Sequence, residues 1–329
     1  MKPLTCGVIL VICLVIAVSL SIWMGPVDFT SMQILEAIKG EGNRETQYII
    51  REIRGPRTVL AILVGGGLAL SGAVFQALLR NPLAEPYILG ISGGAATGAV
   101  LVLSLGIAAA QSWILPVAAF TGSLVAISIV LAIASNSSKR LDMRVLLLAG
   151  VVTGAFFSAC ISLILTLSDA SDIRSAVMWM MGSLAGTEWP TVTMVAAYTL
   201  PCTIILIRLA RPLNLLAIGE ETASYLGTKV EQVKVAGYIV ASLMTAAGVA
   251  ATGIIGFVGL IVPHGMRLLV GNDYRILLPL CFLAGGTFLT LADTVSRILI
   301  SPVEIPVGVV TALLGVPAFL WLLRQNMKA

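Results

Sequence analysis

Charge is the scarcest commodity in this sequence: Asp, Glu, Lys and Arg make up 11% of 329 residues, where a soluble globular protein carries about 25%. A chain this poor in charge cannot dress a water-exposed surface, and with 58% hydrophobic residues it reads as a polytopic membrane protein. Histidine is almost missing. The single His264 follows Pro263 and has no Cys or carboxylate at ligand spacing, so it reads as a structural residue at the end of a span, and no metal site is expected. Five cysteines, Cys6, Cys13, Cys160, Cys202 and Cys281, lie inside apolar runs without a CxxC pair, which excludes a disulfide framework and leaves packing as their role. No GxxxxGK[ST] motif occurs, so the chain has no phosphate-binding loop, and any ATP that drives it must be hydrolysed on another subunit. No constellation of acid, base and nucleophile is present, which excludes an enzyme and implies no cofactor. The net charge of +4 forms no basic patch, which excludes nucleic acid as a partner.

Long apolar runs are abundant by contrast. Runs long enough to cross a bilayer fall near 4–24, 58–79, 88–106, 113–134, 145–167, 190–207, 235–251, 253–270, 276–298 and 305–323, ten in all. The eighth is interrupted by Gly253, Gly256, Gly259 and Pro263, which predicts a short or broken helix. The first is too long for a signal-peptide core and no small-x-small site follows it, so it is expected to remain as an uncleaved span. An even count puts both termini on one side. If that side is the cytoplasm, it collects thirteen Lys and Arg residues, among them Lys139, Arg140, Arg208, Arg211, Lys229, Lys234 and Lys328, and leaves seven outside; the bias has the positive-inside sign. Thirty-two glycines suit helices that approach closely in lipid. Leu165-Thr-Leu-Ser-Asp169, with Arg174 beyond, is echoed by Leu289-Thr-Leu-Ala-Asp293 with Arg297 beyond, a hint of an internal repeat of about five spans. Carboxylates that could lie at membrane depth are few, namely Glu85, Asp293 and Glu304. That scarcity speaks against a proton- or sodium-coupled carrier.

Two polar stretches interrupt this background. Residues 212–228 predict a pair of short helices: Pro212 lies in the first turn of one, a second follows Gly219 with Glu220 and Glu221 at the positive end of its dipole, and Gly227 ends it. Helices of about two turns neither span a bilayer nor stand alone, so they need a partner surface. Leu213, Leu216, Ala223 and Leu226 offer apolar contacts at helical spacing, and spacing alone leaves open whether that surface is a protein or lipid headgroups. The other stretch, Asn81, Pro82, Leu83, Ala84, Glu85 and Pro86, sets two prolines four residues apart between the second and third spans. This predicts a stiff non-helical turn, either part of a translocation pathway or a plain connector.

Arg54-Gly-Pro-Arg57, Ser71-Gly-Ala-Val-Phe-Gln76, Asn81-Pro-Leu-Ala-Glu-Pro86, Leu89-Gly-Ile-Ser-Gly-Gly-Ala95, Gly219-Glu220 with Ala223 and Leu226-Gly227, Gly256-Phe-Val-Gly-Leu-Ile-Val-Pro-His264, and Glu304-Ile-Pro-Val-Gly308 occur in this order from about residue 50 to the C-terminus. Together they resemble the iron-chelate and cobalamin uptake permeases, the FecCD-type subunits of type II ABC importers. The resemblance implies an all-α fold of about ten transmembrane helices in one permease domain, 1–329, in the cytoplasmic (inner) membrane with both termini cytoplasmic. It implies a homodimer with the pathway at its two-fold interface, two ATPase subunits below, and a periplasmic or lipid-anchored substrate-binding protein above. On this reading Leu213, Leu216, Gly219, Glu220, Ala223, Leu226 and Gly227 contact the ATPase, and Arg54, Arg57 and Arg297 receive acidic residues of the binding protein. The segment Ser137–Arg144 corresponds to the cytoplasmic gate; Met143, Arg144 and Val145 stand where the family has small polar residues, so no gate residue is assigned. The implied cargo is an iron(III)-siderophore or similar metal chelate, with cobalamin, haem or molybdate as alternatives. Outside the resemblance stand an ion-coupled secondary transporter and a purely structural membrane scaffold.

Overall fold

The computed structural model describes residues 2–109, 111, 113–136, 141–301 and 303–326. Ser137–Arg140 of the expected gate, with Lys139 and Arg140, lie outside the described residues, as does Lys328. The chain folds into helices α1 (Pro3–Trp23), α2 (Ser31–Lys39), α3 (Arg44–Tyr48), α4 (Gly55–Leu78), α5 (Ile91–Ser104), α6 (Ile114–Asn136), α7 (Met143–Thr166), α8 (Ala170–Met180), α9 (Trp189–Arg208), α10 (Ala210–Ile218), α11 (Glu220–Tyr225), α12 (Val230–Thr252), α13 (Val258–Val270), α14 (Tyr274–Ile298) and α15 (Val307–Asn326). Among the described residues seven helices are long and apolar enough to cross a membrane, one of them the continuous run Arg44–Leu78, while α5, α13 and α15 supply shorter apolar segments. These ten coincide with the ten expected spans.

The fold is organised around α4. Of its apolar window 89% is buried, against 17% for α1 and 22% for α9, so α4 is sheathed by protein while α1 and α9 turn most of their surface outward. α14, α12, α13 and α9 surround it. Glycine permits the closest of these approaches: a Cβ on Gly65 would lie 2.3 Å from the Gly285 carbonyl oxygen of α14, and the same distance separates one on Gly94 of α5 from the Gly122 carbonyl of α6. Small residues at crossings let backbones touch where lipid gives no hydrophobic drive.

Three features depart from the apolar pattern. The third and eighth expected spans are short, at 14 residues for α5 and 13 for α13, because residues 79–85 are non-helical, Pro86–Leu89 form only a single 3-10 turn, and residues 253–257 are non-helical. α2 and α8 occupy stretches read as loops; α2 carried a legible signal, since Thr30 and Gln33 form a capping box ahead of Ile34 and Leu35. The echo between 165–169 and 289–293 is not repeated in structure: Asp169 is an exposed residue between α7 and α8, whereas Asp293 is fully buried within α14.

Candidate functional site

At one end of α4 the chain builds a buried ion cluster. A π-helical turn, Ile49–Arg54, leads straight into α4 and places Arg54 and Arg57 beside the C-terminal end of α1 and the last turns of α14. Arg57 donates from Nη2 to Asp293 Oδ1 at 2.9 Å and from Nε to both Asp293 oxygens at 3.1 Å, while its Nη1 reaches the two oxygens of Glu304 at 2.9 and 3.1 Å. Arg297, one turn beyond Asp293, lies 3.3 Å from Asp293 Oδ2 and donates to Ser21 Oγ at 2.9 Å. Arg54 donates to the carbonyls of Ile22, Trp23 and Val27, sits over the Phe29 ring and feels the Asp28 carboxylate at longer range. A Cβ at Gly25 would lie 2.6 Å from the Arg54 guanidinium, so only glycine leaves room for this seat.

The three arginines, which the resemblance marks as receiving acidic residues of a binding protein, are buried in this chain. Arg54, Arg57 and Arg297 are 3%, 6% and 3% exposed, and their donors are taken by the chain's own carboxylates and carbonyls. Charges removed from water must be paired or hydrogen-bonded, and here the partners come from α1, α14 and the segment before α15. The cluster borders a cavity of about 190 Å³ lined by Pro26, Val27, Ile49, Ile53, Arg54, Arg57, Arg297 and Glu304. Two of the three carboxylates singled out at membrane depth, Asp293 and Glu304, are therefore consumed in ion pairs.

The other end of α4 lies roughly 36 Å away, from 24 residues at 1.5 Å each, and meets α10 and α11. The two short helices form where expected, with α10 beginning at Ala210 so that Pro212 falls in its first turn. Gly227, at φ +81°, closes α11 as Thr228 N–H reaches the Ala223 carbonyl at 2.9 Å. Leu213, Leu216 and Ala223 are turned inward, at 0%, 3% and 0% exposure, so they seat the element on the bundle and are not available to a partner. The face left open carries Ile218, Tyr225 and Leu226, the last two 91% and 62% exposed. Gly219 joins the two helices, and Glu220 forms an ion pair with Lys234 at 2.8 Å. Asn214, which the spacing analysis passed over, donates to Asp273 Oδ1 at 2.7 Å and accepts from Tyr274 N–H at 2.8 Å, tying α10 to the start of α14. Hydrogen bonds from Arg275 and Asn214 hold the Asp273 carboxyl well below the usual carboxylate range.

Between these ends the Asn81–Pro86 segment packs against the unwound stretch before α13. Glu85 Oε1 accepts the Phe257 N–H at 2.6 Å, Tyr87 Oη donates to the Ile255 carbonyl at 3.0 Å, and Gln76 Nε2 reaches the carbonyls of Ala84, Gly259 and Leu260. Backbone without helical partners inside a membrane protein needs such substitutes. Ala84 and Pro86 are buried and Asn81 and Glu85 half-buried, whereas Pro82 and Leu83 face outward. Gln76 and Tyr87 supply bonds that the Pro spacing did not predict; their signal was polarity within apolar motifs.

With this geometry in hand the chain can be set beside known proteins. The sequence pattern of the FecCD transport family matches residues 13–325. The chain belongs to that family. Among relatives of this FecCD permease, an uncharacterized ABC transporter permease, YvrB, of Bacillus subtilis is 44% identical over 290 residues, covering 87% of this chain and 82% of the relative. The cobalamin import system permease BtuC of Halobacterium salinarum is 45% identical, covering 85% and 74%, and the hemin transport system permease HmuU of Yersinia pestis is 41% identical, covering 85% and 84%. A solved structure described as the inward-facing conformation of a metal-chelate type ABC transporter superposes with a TM-score of 0.87 at 34% identity, covering 96% of this chain and 97% of that one. The FecCD chain is thus the membrane-spanning permease of an ABC importer, a transporter and not an enzyme.

Proposed function

We propose that two copies of this permease form the pathway through which a metal chelate, such as an iron(III)-siderophore, enters the cytoplasm, driven by two ATPase subunits that dock on α10 and α11. The observation that carries this reading is the open apolar face of Ile218, Tyr225 and Leu226 on a two-helix element whose other face is locked into the bundle. An element held rigidly on one side and bare on the other transmits a push. Both termini and this element then lie on the cytoplasmic side, as the distribution of Lys and Arg favours. The binding protein docks at the opposite end, where Arg54, Arg57 and Arg297 border a cavity and present a cationic rim to a partner carboxylate. The pathway at the two-fold interface would be bordered by the exposed side of α7, which carries Ser158, Ser162 and Thr166 one turn apart, each hydroxyl bonded back to the carbonyl four residues earlier. Pro82 and Leu83 are the members of the 81–86 segment free to border it.

Cobalamin and haem stand as the second reading of the cargo, because permeases named for them are among the relatives. Vesicles holding the permease, its ATPase and the binding protein encoded beside it decide the matter. A ferric hydroxamate chelate should accumulate with ATP, and cyanocobalamin and haemin should not; accumulation of either of the latter alone would move the assignment to that cargo.

A further inference from the structure

On the side of α10 and α11, four separate segments meet at one buried ammonium. Lys234 is 4% exposed. Its Nζ donates to the Leu141 carbonyl at 2.7 Å and to Glu220 Oε2 at 2.8 Å, with Glu231 Oε2 at 3.9 Å. Glu231 in turn accepts the Leu141 N–H, so residue 141 is gripped by both its backbone groups. Arg80, in the left-handed conformation at φ 47° where an arginine is strained, brings its guanidinium to 4.0 Å from the other Glu220 oxygen. These groups border a cavity of about 540 Å³ also lined by Asp142, Met143 and Arg144. Leu141 and Asp142 form the entry to α7, Asp142 capping it through the Arg144 N–H at 2.8 Å, and Glu220 is the first residue of α11.

We infer that Lys234 is the positioning residue that carries motion of α11 into α7. The inference rests on the proposed docking of an ATPase on α10 and α11 and names what lies downstream of it. An ammonium removed from water cannot release one acceptor without being left short of partners. When α11 shifts, Lys234 therefore either follows Glu220 and draws Leu141 with it or loses a charge-assisted bond. Among the described residues Lys234 joins Glu220 at the start of α11 to Leu141 at the entry to α7, and α7 carries the Ser158, Ser162 and Thr166 stripe. The neighbouring cavity gives the displaced groups space to move. A Lys at this position gives the linkage one cation that donates at once to the Leu141 carbonyl and the Glu220 carboxylate.

The test uses the complex of permease and ATPase in nanodiscs, without transported substrate. The five cysteines are replaced, and a single spin label is placed at Glu221→Cys on α11 or at Arg144→Cys on α7, both exposed positions. The label-to-label distance across the dimer is measured nucleotide-free and with ATP and vanadate. Both distances should shift in the parent protein. In Lys234→Met the Glu221 distance should still shift while the Arg144 shift falls below half, and Lys234→Arg, which keeps a cation, should restore it. A full Arg144 shift in Lys234→Met overturns the linkage, as does a parent protein in which Arg144 stays still, or loss of both shifts in Lys234→Met together with loss of the bound ATPase, which would mark a folding role. Failure of the parent permease to bind the ATPase at all defeats the docking reading first and takes the linkage with it, so the two failures are told apart at the purification step.

Discussion

Asp293 has no exposed surface and faces two guanidiniums, so its removal leaves Arg57 with Glu304 alone and Arg297 with neutral acceptors only. Breaking one side of a buried pair costs about 3–5 kcal/mol, because the remaining charge is stranded. Glu304 is 34% exposed in its side chain, and pairs that open to water contribute about 1 kcal/mol or less. Asp293→Ala should therefore lower the melting temperature in detergent several times as far as Glu304→Ala, as read by scanning fluorimetry. Equal shifts would mean that the cluster is solvated and that its burial is not what holds α1, α4 and α14 together. At this scale the sequence shows residue types but not pairings: Arg57 and Asp293 are 236 positions apart, and no local spacing distinguishes an arginine held by its own chain from one waiting for a partner. The motif Arg54-Gly-Pro-Arg57 drew attention to these arginines and left their exposure undetermined.

The helices α10 and α11 show the same division between face and partner. Leu226→Asp should leave the permease folded but weaken its hold on the ATPase by roughly 1.5–3 kcal/mol, the loss of one buried side chain and the burial of a charge in its place, read as at least a tenfold rise in the dissociation constant. Leu213→Asp, at a position with no exposure, should abolish stable expression of the permease itself. Identical behaviour of the two variants would reject the division into an inner and an outer face. Both helices were legible from Pro212, Gly219 and Gly227, since caps act locally. Which leucines pointed outward was not, because α10 carries leucines on more than one side and the bundle selects the face that is buried. The unwound stretches before α5 and α13 were legible as interruptions, in the prolines of 81–86 and the glycines of 253–259. Their mutual satisfaction through Glu85, Tyr87 and Gln76 joins segments about 170–180 residues apart in sequence, beyond any local pattern.

For the whole molecule, apolar run length located the seven membrane-length helices, because a bilayer imposes one thickness on a full crossing, and it also marked the three shorter apolar helices. Where the run was interrupted the length failed by a few residues, as in α5 and α13. The missing phosphate-binding loop and the bare face of α11 converge on one claim, that this permease works only with an ATPase bound to α10 and α11. The direct measurement is uptake of the cargo by proteoliposomes carrying the permease with its binding protein, with and without the ATPase subunits and internal ATP. The account predicts accumulation only when ATPase and ATP are both present, with no ATP turnover by the permease alone. Accumulation driven by a proton or sodium gradient in vesicles lacking the ATPase would contradict it.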